Sequence, residues 1–109
     1  MSWVDICALD EIPPSGVHVV MAPKGDIAIF RTSANQVFAL DDRCPHQGAS
    51  LSQGVVIGNL VVCPQHNWQI QLDSGRALTP DIGCSNTYPA RIEAGRVQIA
   101  INNHKDIRQ

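Results

Sequence analysis

The chain lacks a surplus of positive charge, a long apolar run and any sustained helical pattern, and each absence removes a class of function. Ten acidic residues outnumber eight basic ones, for a formal net charge of -2. That leaves no basic footprint for nucleic acid and no polybasic stretch for an anionic membrane. No apolar run approaches the roughly 20 residues of a spanning helix. The opening residues, MSWVDICALDEIP, carry acidic side chains where an export signal needs basic ones, which predicts a cytoplasmic location. Repeats, low-complexity segments and linkers are also missing. A length of 109 residues falls within the roughly 100–200 residues of one domain. Such a chain buries a modest core, enough to fold without disulfides.

Short strands and turns fill the space that helices leave. WVDICAL, VHVVMA, DIAIFRT and QVFALDD are rich in Val, Ile and Phe, and each is bounded by Pro, Gly, Asn or Asp. NLVVC and WQIQLD follow, then TYPARIEA and RVQIAI. Gln69-Ile70-Gln71-Leu72 alternates polar and apolar residues, the pattern of a half-buried strand. Lys24-Gly25, Asp73-Ser74-Gly75 and Ala94-Gly95 read as hairpin turns. Only Ala8 to Ile12 suits a helical turn, and Pro13-Pro14 stops it. The expected fold is a small all-β domain over residues 1–102, with a polar, frayed tail over residues 103–109.

Two segments do not read as strands, and both carry metal-ligand chemistry. One contains Cys44-Pro45-His46 and the other Cys63-Pro64-Gln65-His66, with sixteen residues between them. Each offers a soft sulfur and an imidazole nitrogen. The proline after each cysteine restricts the backbone and removes a competing N–H, and Gly48 opens torsions closed to other residues. Two thiolates and two imidazoles can hold one structural zinc. Zinc modules, however, pair like ligands in sequence, and a one-residue gap between cysteine and histidine is too short for comfortable chelation of one ion. Mixed boxes suit two metal ions, each box giving sulfur to one and nitrogen to the other. A [2Fe–2S] centre with two histidines on one iron has that arrangement.

The boxes Cys44-Pro45-His46 and Cys63-Pro64-Gln65-His66 resemble those of the Rieske iron–sulfur family, and the flanking β-pattern is similar over nearly the whole chain. The resemblance implies an antiparallel β-sandwich capped by a cluster-binding part on two hairpin loops, here about residues 43–69. It implies one [2Fe–2S] cluster per chain, with Cys44 and Cys63 on one iron and His46 and His66 on the other. The imidazole edges would face solvent or a partner. Such a site is neutral when oxidised and singly negative when reduced, which raises its potential above that of four-thiolate clusters. No coordination position is open to a substrate, so the site moves electrons and the chain has no catalytic residues of its own. High-potential relatives place additional cysteines and a serine where this chain has Ala49, Gln65 and Trp68. With fewer donors near the sulfurs, the resemblance implies a potential at the low end of the Rieske range.

Within the family, His66-Asn67-Trp68 has asparagine where many relatives have glycine. That run is similar to the small subunit of assimilatory NAD(P)H-dependent nitrite reductase, as are Trp3-Val4-Asp5-Ile6-Cys7, Gly83-Cys84 and Thr87-Tyr88-Pro89. This resemblance implies a large flavin- and sirohaem-bearing partner subunit on which nitrite is reduced during nitrate assimilation. The second reading is the Rieske ferredoxin of an aromatic-ring dioxygenase system, whose partners are a ferredoxin reductase and a terminal dioxygenase. A zinc module for assembly is the third.

The remaining residues of chemical interest have plainer readings. Cys7 and Cys84 are expected to be small buried apolar residues. His18 and His104 lack partners at ligand spacing and are expected at the surface. Trp68 either shields the cluster or fills core volume beside Ile70. The Rieske resemblance implies that the run Thr79-Pro80-Asp81-Ile82-Gly83 forms a third loop over the cluster.

Overall fold

Ile27–Arg31 is a strand of four consecutive buried residues, Ile-Ala-Ile-Phe, and it accounts for the architecture. Side chains alternate between faces of a strand, so four successive apolar residues must be covered on both sides. In the computed structural model, which describes residues 2–22, 25–44, 50–64, 67–79 and 83–101, they are. Ile27 and Ile29 join one core cluster with Ile6, Ile12, Val20, Val97 and Ile99. Ala28 and Phe30 join a second, with Leu40, Leu51, Val61, Ile70 and Leu72.

Three antiparallel sheets surround these two cores. The first contains β1 (Ser2–Ala8), β10 (Ala90–Glu93) and β11 (Arg96–Ile101), in the order β1-β11-β10. The middle sheet contains β2 (Val17–Val20), β3 (Ile27–Arg31), β4 (Val37–Asp41) and β9 (Thr87–Tyr88), in that order. The third contains β5 (Val55–Ile57), β6 (Leu60–Val62), β7 (Gln69–Gln71) and β8 (Ala77–Thr79), again in order. The fold is all-β, as the sequence predicts.

Local chemistry explains most of the connections. The turn Ala94-Gly95 joins Glu93 to its partner Arg96 with both residues at positive φ, +50° and +76°. That combination matches the right-handed twist of a two-residue hairpin. The helical turn expected within Ala8 to Ile12 is a 3-10 turn at Leu9–Glu11, where the Glu11 carboxylate accepts from the Ala8 N–H at 2.8 Å. A second 3-10 turn at Leu51–Gln53 was not expected, nor were β5 and β8. Neither Val-Val-Ile nor Ala-Leu-Thr alternates polar and apolar residues, so neither shows the period of a half-buried strand. No helix among the described residues is long and apolar enough to cross a membrane. The tail at residues 103–109 lies outside the described residues.

Candidate metal centre

Cys44 and Cys63 reach the same core from two different sheets. Cys44 follows β4 after a two-residue bend, and Cys63 directly follows β6. Their exposures are 2% and 1%, and both pack in the second cluster with Leu51, Val61, Trp68 and Ile70. None of the four cysteines is joined in a disulfide. His46 and His66 lie outside the described residues, as do Ala49 and Gln65.

The second box closes on itself. The Cys63 N–H donates to the Trp68 carbonyl at 2.7 Å, one step beyond the paired Val62 and Gln69. Asn67 takes φ +57° inside this loop. Left-handed backbone favours glycine, and asparagine is among the few other residues that visit it readily. Asparagine therefore meets this torsion at little cost. Trp68 is buried and fills core volume beside Ile70, within the cluster that holds both cysteines.

The first box is anchored at both ends. The Asp42 carboxylate accepts from the Ser52 N–H at 2.6 Å and from the Ser52 hydroxyl at 2.7 Å. Asp41 binds a different segment: its N–H donates to the Asn86 carbonyl at 2.9 Å, and its own carbonyl accepts from the Ser85 hydroxyl at 3.2 Å. Its carboxylate accepts from the Tyr88 hydroxyl at 2.5 Å. Residues 83–88 also bond to the third sheet, through Ser85 N–H to Gly75 carbonyl at 2.7 Å and Ala77 N–H to Gly83 carbonyl at 2.8 Å. This segment therefore ties the sheet that ends in Cys44 to the sheet that carries Cys63.

Cys84 corrects an expectation. It lies in this segment, but its side chain is exposed rather than buried. Its backbone forms an isolated bridge to Arg76, and its sulfur lies 3.6 Å from the Ser85 carbonyl and 3.9 Å from that of Ser74. Backbone pairing decides the position, and the side chain is left at the surface. Cys7 is buried as expected, and burial raises its thiol above the ordinary range, with Glu11 adding to the effect. His18 is half-buried on β2. Of the expected third loop, Thr79 instead ends β8, while residues 80–82, like His104, lie outside the described residues.

Tyr88 gives this anchor a readout. Burial first, and then its bond to Asp41, push the phenol from 10.0 to about 12. Because the folded value is the higher one, its contribution to stability is complete below pH 10.0 and is lost as pH rises through about 12. Tyr88 is the only tyrosine, so absorbance at about 295 nm follows it alone. The tyrosinate midpoint is expected near 12 in the folded protein and near 10.0 in denaturant. An unshifted midpoint in the folded protein would remove the Asp41 bond.

Comparison with known proteins agrees with this geometry. The Rieske [2Fe-2S] domain profile matches residues 2–105. The 3-phenylpropionate/cinnamic acid dioxygenase ferredoxin subunit of Photorhabdus laumondii is 35% identical over 107 residues, 96% of this chain and 100% of that protein. A chain from Mycobacterium tuberculosis, provisionally named as the small subunit of an NADH-dependent nitrite reductase, superposes with a TM-score of 0.81 at 29% identity. The match covers 94% of this chain and 96% of that one. A chain in the complex of reduced oxygenase and oxidized ferredoxin in carbazole 1,9a-dioxygenase also gives 0.81, at 25% identity, covering 89% and 100%.

The described residues fit the family's cofactor. A bare thiolate in an apolar core is costly. Two thiols brought into one such core from separate strand ends, and not consumed in a disulfide, are suited to a metal that neutralises their charge. The cluster supplies a site that accepts and returns one electron. What the described residues contribute is burial of both cysteines at the ends of strands from two sheets. The chain belongs to the Rieske [2Fe-2S] family, and it is an electron-transfer protein whose cofactor is a Rieske-type cluster.

Proposed function

We propose that this chain is the small subunit of an NAD(P)H-dependent nitrite reductase of nitrite assimilation, with Cys44 and Cys63 holding one iron and His46 and His66 the other. The domain would span residues 1–102, with its cluster-binding part at about residues 43–69. The observation that carries the branch is the His66-Asn67-Trp68 run. Asn67 meets a left-handed torsion of +57° without glycine, and Trp68 follows directly into the buried core. Likeness to the Mycobacterium tuberculosis chain over 94% of this one supports the same reading. The segment Gly83-Cys84 through Thr87-Tyr88, also similar to that branch, has a physical task in tying the two box-bearing sheets together.

A second reading, the ferredoxin of a ring-hydroxylating dioxygenase, is favoured by the 35% identity to the Photorhabdus laumondii subunit. The two differ in what the chain binds. Isolated anaerobically from its own cells, the protein is expected to bring down a large subunit with flavin and sirohaem absorption. Recovery with an oxygenase that has its own Rieske centre, or with a ferredoxin reductase, would overturn the nitrite reductase reading in favour of the second.

A further inference from the structure

We infer that Asp42 and Ser52 are positioning residues for the cluster, forming a clamp that fixes the first box against the second. The inference rests on the proposed ligand assignment, in which Cys44 and His46 belong to that box. Asp42 lies two residues before Cys44, and Ser52 lies in the 3-10 turn at Leu51–Gln53, which follows the box in sequence. Both oxygens of the carboxylate are used, one on the Ser52 N–H at 2.6 Å and the other on its hydroxyl at 2.7 Å. Hydrogen bonds to an ionised acceptor are about twice as strong as neutral ones. A two-point contact also fixes orientation as well as distance.

The same turn is held against the second box. Leu51 is fully buried in the cluster that contains Cys44 and Cys63. Gly54, just past the turn, lies so close to β6 that a Cβ there would sit 2.3 Å from the Val62 carbonyl. Val62 immediately precedes Cys63. The chain of contacts therefore runs from Asp42 through Ser52 and Gly54 to the strand that delivers Cys63. Asp42 itself is held from behind, its N–H donating to the Asp26 carbonyl at 2.8 Å. A box that contributes one ligand to each iron has to be set at both ends, because displacing it disturbs both metal sites at once.

The test uses the purified, cluster-loaded protein and follows iron removal by ferrozine under anaerobic, reducing conditions. Ser52→Ala removes one bond without altering charge and is expected to speed cluster loss about tenfold, as about 1.4 kcal/mol requires. Asp42→Asn is expected to exceed that, while Ser52→Thr, which keeps the hydroxyl, stays near the parent. The unfolding rate by far-UV circular dichroism is expected to remain unchanged in Ser52→Ala, whose reduced electron paramagnetic resonance spectrum is expected to shift. Parent-like iron loss in both Ser52→Ala and Asp42→Asn would overturn the inference. So would a parallel rise in unfolding rate, which would reduce the clamp to a contact that only stabilises the fold. A parent protein without a Rieske spectrum would instead sink the ligand assignment.

Discussion

Cys63→Ser is expected to purify without its iron–sulfur cluster, with iron and acid-labile sulfide per chain at least about tenfold below the parent. Under the proposed ligand set, Cys63 is one of two thiolates on a single iron. Serine offers a hard oxygen whose proton is far harder to remove, so a soft ligand is exchanged for a poor one. No neighbouring described cysteine can stand in. Cys84 is exposed on the bridge to Arg76, and Cys7 belongs to the other core. Cys84→Ser is therefore the matched control, expected to keep its full iron and its Rieske spectrum. Iron and sulfide analysis with the reduced-state resonance spectrum decides the matter. A normal cluster in Cys63→Ser would remove that residue from the ligand set. Zinc in place of iron in the parent would end the cluster reading altogether.

Gly75→Ala is the second large effect, and it acts on the frame rather than on the ligands. Gly75 adopts φ +74°, and a Cβ there would lie 2.0 Å from the Ser85 carbonyl. Two costs combine: about 1–3 kcal/mol for the left-handed torsion and about 1–3 kcal/mol for forced overpacking. A loss of about 2–6 kcal/mol is a large share of the roughly 5–15 kcal/mol that stabilises a domain of ordinary size. The obstacle is backbone, so no side chain can rotate away to relieve it. To make room, residues 83–88 must move, and they also hold Asp41 through Asn86, Ser85 and Tyr88. Urea denaturation should show the loss, and the elevated tyrosinate midpoint of Tyr88 should fall with it. Parent-like stability would mean that the close approach of Gly75 to Ser85 does not occur in solution.

Much of the fold was legible in the sequence because its signals are local. Alternation in Gln69-Ile70-Gln71-Leu72, the turn at Ala94-Gly95 and the stop at Pro13-Pro14 each lie within a few residues, and the structure follows all three. β5 and β8 were not legible, since Val-Val-Ile and Ala-Leu-Thr show no alternation of polar and apolar residues against the surrounding loops. Cys84 was misread for a related reason. An apolar side chain is expected inside, but here backbone pairing with Arg76 sets its place. Tyr88 and Asp41 are 47 residues apart, and Asp42 and Ser52 are 10 apart, so neither contact has a sequence signature.

By itself the sequence determined the β class and the chemistry the protein can hold. Both follow from residue type at short spacing: apolar alternation between turns, and sulfur beside nitrogen in two boxes. Only the tertiary structure decided that Ile27–Arg31 is buried on both faces, which makes the middle sheet the common wall of two cores. It also decided that Cys44 and Cys63, from different sheets, share one of those cores, with Asp42, Ser52 and residues 83–88 bracing the strands that deliver them. The physical reason is that such contacts depend on how sheets stack. Stacking minimises exposed apolar area over the whole chain, and no short segment records that sum.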